Sequence, residues 1–66
     1  MHLTINGEAR DFDGADTVGA FLAARGLSAK MVVVELNGVI VPRAEYDAAP
    51  LEAGDVLEIV QMMAGG

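Results

Sequence analysis

The sequence predicts an α+β fold in which a mixed β-sheet packs on a single helix. Asn-Gly pairs at residues 6–7 and 37–38 each separate two stretches of strand-forming residues, the pattern of a β-hairpin with a type I′ turn. One stretch with helical periodicity lies between the two hairpins. A last apolar stretch, Val56 to Met62, follows as a further strand.

Four of the predicted strands form the two hairpins. Apolar and polar residues alternate in residues 1–6, and residues 8–12 return antiparallel after the first Asn-Gly pair. β-branched and apolar residues predict strands over 31–36 and 39–41, and the proline that follows ends the pairing because it has no N–H to donate. Residues 43–49 are polar around an isolated tyrosine, and we expect an irregular or single-turn connection there.

The helix is defined by its ends and by one apolar face, formed by Val18, Phe21 and Leu22. Asp16 or Thr17 can cap its start, because either side chain can accept a hydrogen bond from a free N–H of the first turn. Gly26 is the expected left-handed residue that ends it. Gly19, inside the helix, is unfavourable by about 1 kcal/mol relative to alanine.

The resulting order is β-β-α-β-β-β, which favours the β-grasp (ubiquitin-like) architecture among small α+β folds. We expect this domain to occupy residues 1–62, and residues 63–66 to form a flexible C-terminal Gly-Gly tail.

Composition excludes several classes of function. A chain of 66 residues forms one small domain with no room for an active-site cleft beside its core. The net charge of −6 disfavours nucleic acid and membrane surfaces as partners and favours a protein with a basic face. The absence of cysteine excludes disulfides, thiolate metal sites and thiol nucleophiles, and fits a cytoplasmic protein. No apolar run is long enough to span a membrane.

The sequence shows no catalytic or metal-binding pattern. His2, the single histidine, has no serine, cysteine or ligand cluster at a useful spacing, and we interpret it as a strand residue. The acidic residues are scattered, as on a solvated surface. No helix follows Gly65 and Gly66 to present N–H groups to a phosphate. We therefore predict no catalytic residues, no metal site and no cofactor bound by this chain.

Two predicted strands carry apolar residues on both of their faces. One face of these strands holds Val32, Val34, Leu36, Leu57 and Ile59. The other holds Met31, Val33, Val56, Val60 and Met62. A short helix covers one face of a sheet, so we predict an apolar patch on the other face, with the acidic neighbours Glu35, Asp55 and Glu58, that binds a partner protein. The alternative is that residues 43–53 fold over this face.

The candidate partner-binding residues of the folded part are Val56, Glu58, Val60 and Arg43. For Arg43 two interpretations stay open. It either contacts a partner, or it is a solvated charge or an ion pair with Glu45 or Asp47.

The sequence closes with Met62, Met63, Ala64, Gly65 and Gly66. Glycines are costly to order, so a terminal pair is either a frayed end or cloning remnant, or a functional arm. The four residues after Met62 extend about 13 Å at roughly 3.3 Å each, enough to place a main-chain carboxyl inside another protein. In that interpretation Gly66 carries the reactive carboxyl and the residues before it bind the partner. The methionine pair is either an adaptable docking surface or part of the core.

Over its whole length the chain resembles the ThiS family, the ubiquitin-like sulfur carriers of thiamine thiazole synthesis. The resemblance rests on Asn6-Gly7, Asp16-Thr17-Val18, Phe21-Leu22, Asn37-Gly38-Val39-Ile40-Val41-Pro42-Arg43, Gly54-Asp55 and Ala64-Gly65-Gly66. The combination of the Asn-Gly to Val-Pro-Arg segment with the final Gly-Gly makes it specific. Many members have glycine in place of Ala64 and an aromatic residue, often tryptophan, in place of Tyr46. Neither difference should block the chemistry.

The resemblance implies three partners. An adenylyltransferase of the ubiquitin-activating type would use ATP and Mg²⁺ to convert the Gly66 carboxylate into an acyl-adenylate. A persulfide sulfur donor would displace AMP and leave a thiocarboxylate, and a thiazole synthase would take that sulfur. Three alternatives stay open: the small subunit of molybdopterin synthase, a ubiquitin-like modifier joined to lysines through Gly66, and a non-covalent interaction module.

Overall fold

A computed structural model of the chain describes residues 1–62. The strands are β1 (His2–Ile5), β2 (Glu8–Asp11), β3 (Val32–Leu36), β4 (Val39–Ile40) and β5 (Val56–Gln61), and the helix α1 (Val18–Ala24) lies between β2 and β3. Two 3₁₀ helices, Ala29–Met31 and Arg43–Ala48, precede β3 and follow β4. The predicted order of strands and helix is confirmed.

The five strands form one mixed sheet in the order β2-β1-β5-β3-β4. β1 and β5 are parallel, with Thr4 beside Val56. The other neighbours are antiparallel, and Val33 of β3 lies opposite Val60 of β5. The strand that leads into the C-terminal residues is therefore the central strand of the sheet. This arrangement confirms the α+β, β-grasp prediction.

Both ends of α1 follow the local sequence. The Thr17 hydroxyl accepts a hydrogen bond from the Ala20 N–H at 3.1 Å, so Thr17 rather than Asp16 is the N-cap. Gly26 has φ of 69°, and the Leu27 N–H donates to the Leu22 carbonyl at 2.9 Å. These are the features of a Schellman C-cap, which satisfies carbonyls that the helix leaves free.

The core lies between α1 and one face of the sheet. Its buried side chains are Leu3, Ile5, Ala15, Val18, Phe21, Leu22, Val32, Val34, Tyr46, Leu51 and Leu57. Tyr46 belongs to the segment for which an irregular or single-turn connection is predicted, but it is only 4% exposed and its hydroxyl donates to the Val32 carbonyl at 3.2 Å. The connection after β4 is thus a 3₁₀ helix that contributes to the core.

Gly19 allows this 3₁₀ helix to approach α1. A Cβ atom at position 19 would meet the Asp47 side chain and lie 3.2 Å from the Asp47 Cα. The predicted cost of this glycine to the helix is therefore accompanied by a packing role, because the missing side chain leaves the space that Arg43–Ala48 occupies.

Candidate partner-binding face and C-terminal strand

The end of β5 is held to the sheet up to Met62. The Met62 N–H donates to the Met31 carbonyl at 2.7 Å, while the side chain is 44% exposed. Met62 is therefore anchored through its backbone and leaves its thioether available at the surface, which favours the docking interpretation for this residue. The other predicted tail residues, Met63, Ala64, Gly65 and Gly66, lie outside the described residues. The boundary after residue 62 and the flexibility of the tail stay predictions.

The asparagines of both Asn-Gly turns hold β5 in place. Asn37 accepts a hydrogen bond from the Val56 N–H at 2.9 Å, at the start of the strand. Asn6 accepts from the Ile59 N–H at 2.7 Å and donates to the Ile59 carbonyl at 3.2 Å. The sequence identifies both asparagines as turn residues, and their φ angles of 51° and 52° confirm it. Their contacts with β5 are long-range and have no local sequence pattern.

The part of the sheet face opposite α1 that β3, β4 and β5 form is exposed and largely apolar, whereas β1 and β2 contribute the more polar His2, Thr4, Ala9 and Asp11 to that face. We call the part formed by β3, β4 and β5 the open face, and strand alternation together with the register assigns to it Val33, Glu35, Ile40, Val56, Glu58, Val60 and Met62. Val33 is 37% exposed, Val56 40% and Val60 59%. The sequence prediction of an apolar patch on this face is therefore confirmed, and Val56, Glu58 and Val60 lie together on it.

Residues 43–53 do not cover the open face, so that alternative is wrong. Arg43–Ala48 packs against α1, and Tyr46 is inserted into the core on the helix side of the sheet. Leu51 belongs to the same core, and its N–H donates to the Asp16 carbonyl at 2.9 Å. The connection passes around the helix side because its two large apolar residues are buried there.

Two of the three predicted acidic neighbours lie within the open face. Glu35 of β3 is directly opposite Glu58 of β5 in the antiparallel pair. Asp55 instead stabilises the turn before β5, because its carboxylate accepts from the Asn37 side chain at 3.0 Å and from the Glu52 N–H at 2.8 Å. The sequence shows that Glu35 and Glu58 are acidic but not that they are paired, since the pairing depends on the register between distant strands.

Arg43 is exposed but is not part of the open face. Its guanidinium donates to the Lys30 carbonyl at 3.3 Å, and within residues 1–62 it makes no ion pair with Glu45 or Asp47. Lys30 precedes Met31, whose carbonyl binds Met62. Arg43 thus lies near the point where β5 ends, apart from Val56, Glu58 and Val60.

A cleft of about 310 Å³ lies on the helix side of the sheet and was not predicted from the sequence. Its lining includes Asn6, Phe21, Arg25 and Gln61, and the Arg25 guanidinium lies 5.6 Å from the centre of the Phe21 ring. Within residues 1–62, no three His, Asp or Glu side chains lie together so that they could hold a metal ion. No helix in this part of the chain has the length and apolar character needed to cross a bilayer.

The chain matches known proteins over nearly its whole length. A sequence model of the ThiS family matches residues 3–66. The chain is 39% identical over 62 residues to the sulfur carrier protein ThiS of Thermus thermophilus, and this match covers 94% of the chain and 95% of that protein. The crystal structure of a thiamine biosynthesis protein (ThiS) from Geobacter metallireducens matches with a TM-score of 0.83 and 39% identity, over 100% of both chains.

Two longer relatives also contain a segment like this chain. Both are named thiazole synthase, one from Paramagnetospirillum magneticum at 44% identity and one from Magnetococcus marinus at 32% identity. Each match includes 100% of this chain but 20% of the relative, so the chain spans about one fifth of the length of these proteins.

Proposed function

The chain belongs to the ThiS family, and on that basis we propose that it carries sulfur for thiamine biosynthesis as a thiocarboxylate on Gly66. The observation that carries this proposal is the match, over nearly the full length of both proteins, to a sulfur carrier protein of similar size. In this proposal the chain has no catalytic activity of its own and acts as the substrate of partner enzymes. Its action in the cytoplasm stays a prediction.

Activation is needed because a terminal carboxyl group, with a reference pKa of about 3.3–3.7, is an unreactive anion at neutral pH. A partner adenylyltransferase would use ATP and Mg²⁺ to form the acyl-adenylate and release pyrophosphate. The outer sulfur of a persulfide would then attack the acyl carbon, and AMP would leave. Cleavage of the resulting acyl disulfide by a thiol would leave sulfur on Gly66. This chemistry requires a free carboxyl, so it applies to the form of the chain that ends at Gly66.

The open face and the anchored end of β5 support the recognition part of the proposal. Met62 is fixed to Met31 at one end of the sheet, and Val60, two residues earlier, is exposed on the open face. A partner bound to the open face would therefore lie close to the start of the segment that carries Gly66. An enzyme could therefore bind the folded domain through the open face while the last residues of the chain enter the active site of that enzyme.

We propose thiazole synthase as the enzyme that takes the sulfur. The support comes from the two relatives of that name, in which a segment like this chain is part of a longer protein. Linkage in one chain raises the effective concentration of two parts that work together, which is consistent with a sulfur carrier and the enzyme that uses it.

The proposal is tested by incubating the chain ending at Gly66 with the adenylyltransferase of the same organism, Mg-ATP and a persulfide donor. Intact-mass spectrometry should show that one oxygen has been replaced by sulfur, and added thiazole synthase should reverse this mass change as product forms. The control is a chain shortened to end at Gly65, which should keep its fold and gain no sulfur.

Other outcomes identify the alternative functions. A stable isopeptide between Gly66 and a lysine would favour a ubiquitin-like modifier. Transfer of the sulfur only to a molybdopterin precursor would favour the small subunit of molybdopterin synthase. Tight binding to a partner without any change in mass would favour a non-covalent interaction module. Each of these results would contradict the thiamine proposal.

A further inference from the structure

The exposed apolar side chains of the domain are concentrated on one face. In residues 1–62 the large exposed hydrophobic residues are Val33, Val39, Ile40, Val56, Val60 and Met62. Val39 alone is off the open face, because it pairs with Leu36, whereas Ile40 pairs with Glu35. An apolar surface concentrated in this way typically binds another protein.

Within this apolar surface the sheet places two like charges side by side. Glu35 and Glu58 are direct cross-strand partners, with Val33 and Val60 forming the next pair on the same face. Side chains of directly opposed residues lie about 5 Å apart at their Cβ atoms, and like charges in such a pair destabilise the sheet. Glu58 is exposed and Glu35 is half-buried, so solvent screens their repulsion only in part.

No lysine or arginine of the described chain offsets this repulsion from within the open face, and the single histidine, His2, lies opposite Asp11 at the start of β1. Arg10 pairs with the buried Leu3 and so lies on the helix side of β2, where it contacts Glu8. Arg25 lies over the Phe21 ring of α1. Lys30 and Arg43 are in the 3₁₀ helices outside the sheet. These four residues are all the lysines and arginines of the chain.

We propose that Glu35 and Glu58 together form a socket for one cationic side chain of a partner protein, with the surrounding apolar residues of the open face covered by apolar residues of that partner. Arginine fits best, because its planar group can donate to two carboxylates at once and it is readily desolvated among apolar side chains. This inference rests on the proposed function in that the partner is the adenylyltransferase that activates the chain.

Charge repulsion disfavours a second copy of this chain as the occupant. A symmetric dimer through the open face would bring two Glu35–Glu58 pairs together with no cation between them. The net charge of −6 adds to the repulsion between copies.

The test uses Glu35→Gln and Glu58→Gln, with Glu45→Gln as the matched control. Glu45 is an exposed residue of Arg43–Ala48, on the other side of the sheet, and its replacement removes the same charge. Two quantities are measured: the thermal unfolding midpoint of each variant, and its dissociation constant for the adenylyltransferase by calorimetry at low and at high salt.

The socket predicts effects of opposite sign on stability and binding. Glu35→Gln and Glu58→Gln should each raise the unfolding midpoint by roughly 2–5 °C, because the repulsion is removed. Each should also weaken binding about tenfold at low salt, since one charge-assisted contact is lost, and less at high salt. Glu45→Gln should leave both quantities close to those of the original chain. Glu58→Lys should be the most stable variant and the weakest binder, because its lysine would pair with Glu35 and occupy the socket.

Failure of this inference can be distinguished from failure of the proposed function. If Glu35→Gln and Glu58→Gln bind as tightly as the original chain while sulfur is still loaded onto Gly66, the socket is wrong and the carrier function stands. If the original chain binds the enzyme but gains no sulfur, the carrier function fails, and the binding data still decide the socket. Dimerisation of the original chain that Glu58→Lys abolishes would overturn the choice of occupant.

Discussion

The Asn6 side chain forms two hydrogen bonds with the backbone of Ile59, one to its N–H at 2.7 Å and one to its carbonyl at 3.2 Å. β1 ends at Ile5, so the edge of β5 that faces β1 has no strand partner beyond Leu57. The asparagine amide replaces the missing strand, because it offers one acceptor and one donor, as a peptide group does. Tyr46 has a comparable role at β3. β4 pairs only with Glu35 and Leu36, and the Tyr46 hydroxyl donates to the carbonyl of Val32, which has no partner in β4.

Replacing Asn6 with glycine should make the second half of β5, around Ile59, open more readily. Glycine adopts the positive φ of this position readily, so Asn6→Gly removes the two hydrogen bonds while the turn is kept. We expect a loss of about 1–2 kcal/mol in the free energy of unfolding. Hydrogen exchange should be faster at the Ile59 amide. The Thr4 amide, which donates to the Asp55 carbonyl, is the internal control. Unchanged exchange at Ile59 would show that the asparagine serves the turn only.

Gly19 should resist substitution by a better helix former. Alanine in a helix is favoured over glycine by about 1 kcal/mol. We nevertheless expect Gly19→Ala to destabilise the domain by about 1–3 kcal/mol, because the new methyl group would force Arg43–Ala48 away from α1. Urea denaturation measures the effect. The control is Ala23→Gly, at an exposed position of the same helix, which measures the effect of the alanine–glycine difference in helix propensity without a change in packing. A more stable Gly19→Ala variant would contradict the close packing of the two helices.

The hydroxyl group and the ring of Tyr46 should make separate contributions to the free energy of unfolding. Tyr46→Phe keeps the buried ring but leaves the Val32 carbonyl without its donor, and we expect a loss of about 1–3 kcal/mol in unfolding free energy. Tyr46→Ala also leaves a cavity and should lose about 3–5 kcal/mol. The difference between the two variants, measured by urea denaturation, isolates the packing of the ring. Equal stability of Tyr46→Phe and the original chain would mean that the hydrogen bond has no net effect.

The secondary structure could be predicted because its determinants are local. Thr17 and Gly26 define the ends of α1 by direct contacts with the first and last turns. The Asn-Gly pairs define both hairpins, since Asn6 and Asn37 adopt the positive φ that type I′ turns require. Apolar residues on both faces of β3 and β5 indicated a second apolar face, because one short helix can cover only one side of a sheet, but the sequence left open whether residues 43–53 cover that face.

The remaining features depend on contacts between segments that are distant in sequence. Tyr46 is surrounded by small and polar residues, so its burial could not be predicted from its neighbours. From the sequence, Gly19 can be interpreted only as unfavourable for the helix, because its close contact with Asp47 depends on the tertiary structure. The opposition of Glu35 and Glu58 depends on the register of β3 against β5, which a shift of one residue would change. Local patterns fix which residues form strands but not which side chains meet across them.

Val60 and Val39 allow a matched test of the open face. Both are valines of the sheet and both are exposed, at 59% and 68%, but Val60 is on the open face and Val39 is not. Val60→Ser should therefore weaken binding to the adenylyltransferase about tenfold, through the loss of buried apolar area in the complex. Val39→Ser should bind as the original chain does, and the two variants should have similar unfolding free energies, because serine lowers strand propensity at both sites. Equal weakening by both substitutions would show that the partner recognises general surface hydrophobicity rather than this face.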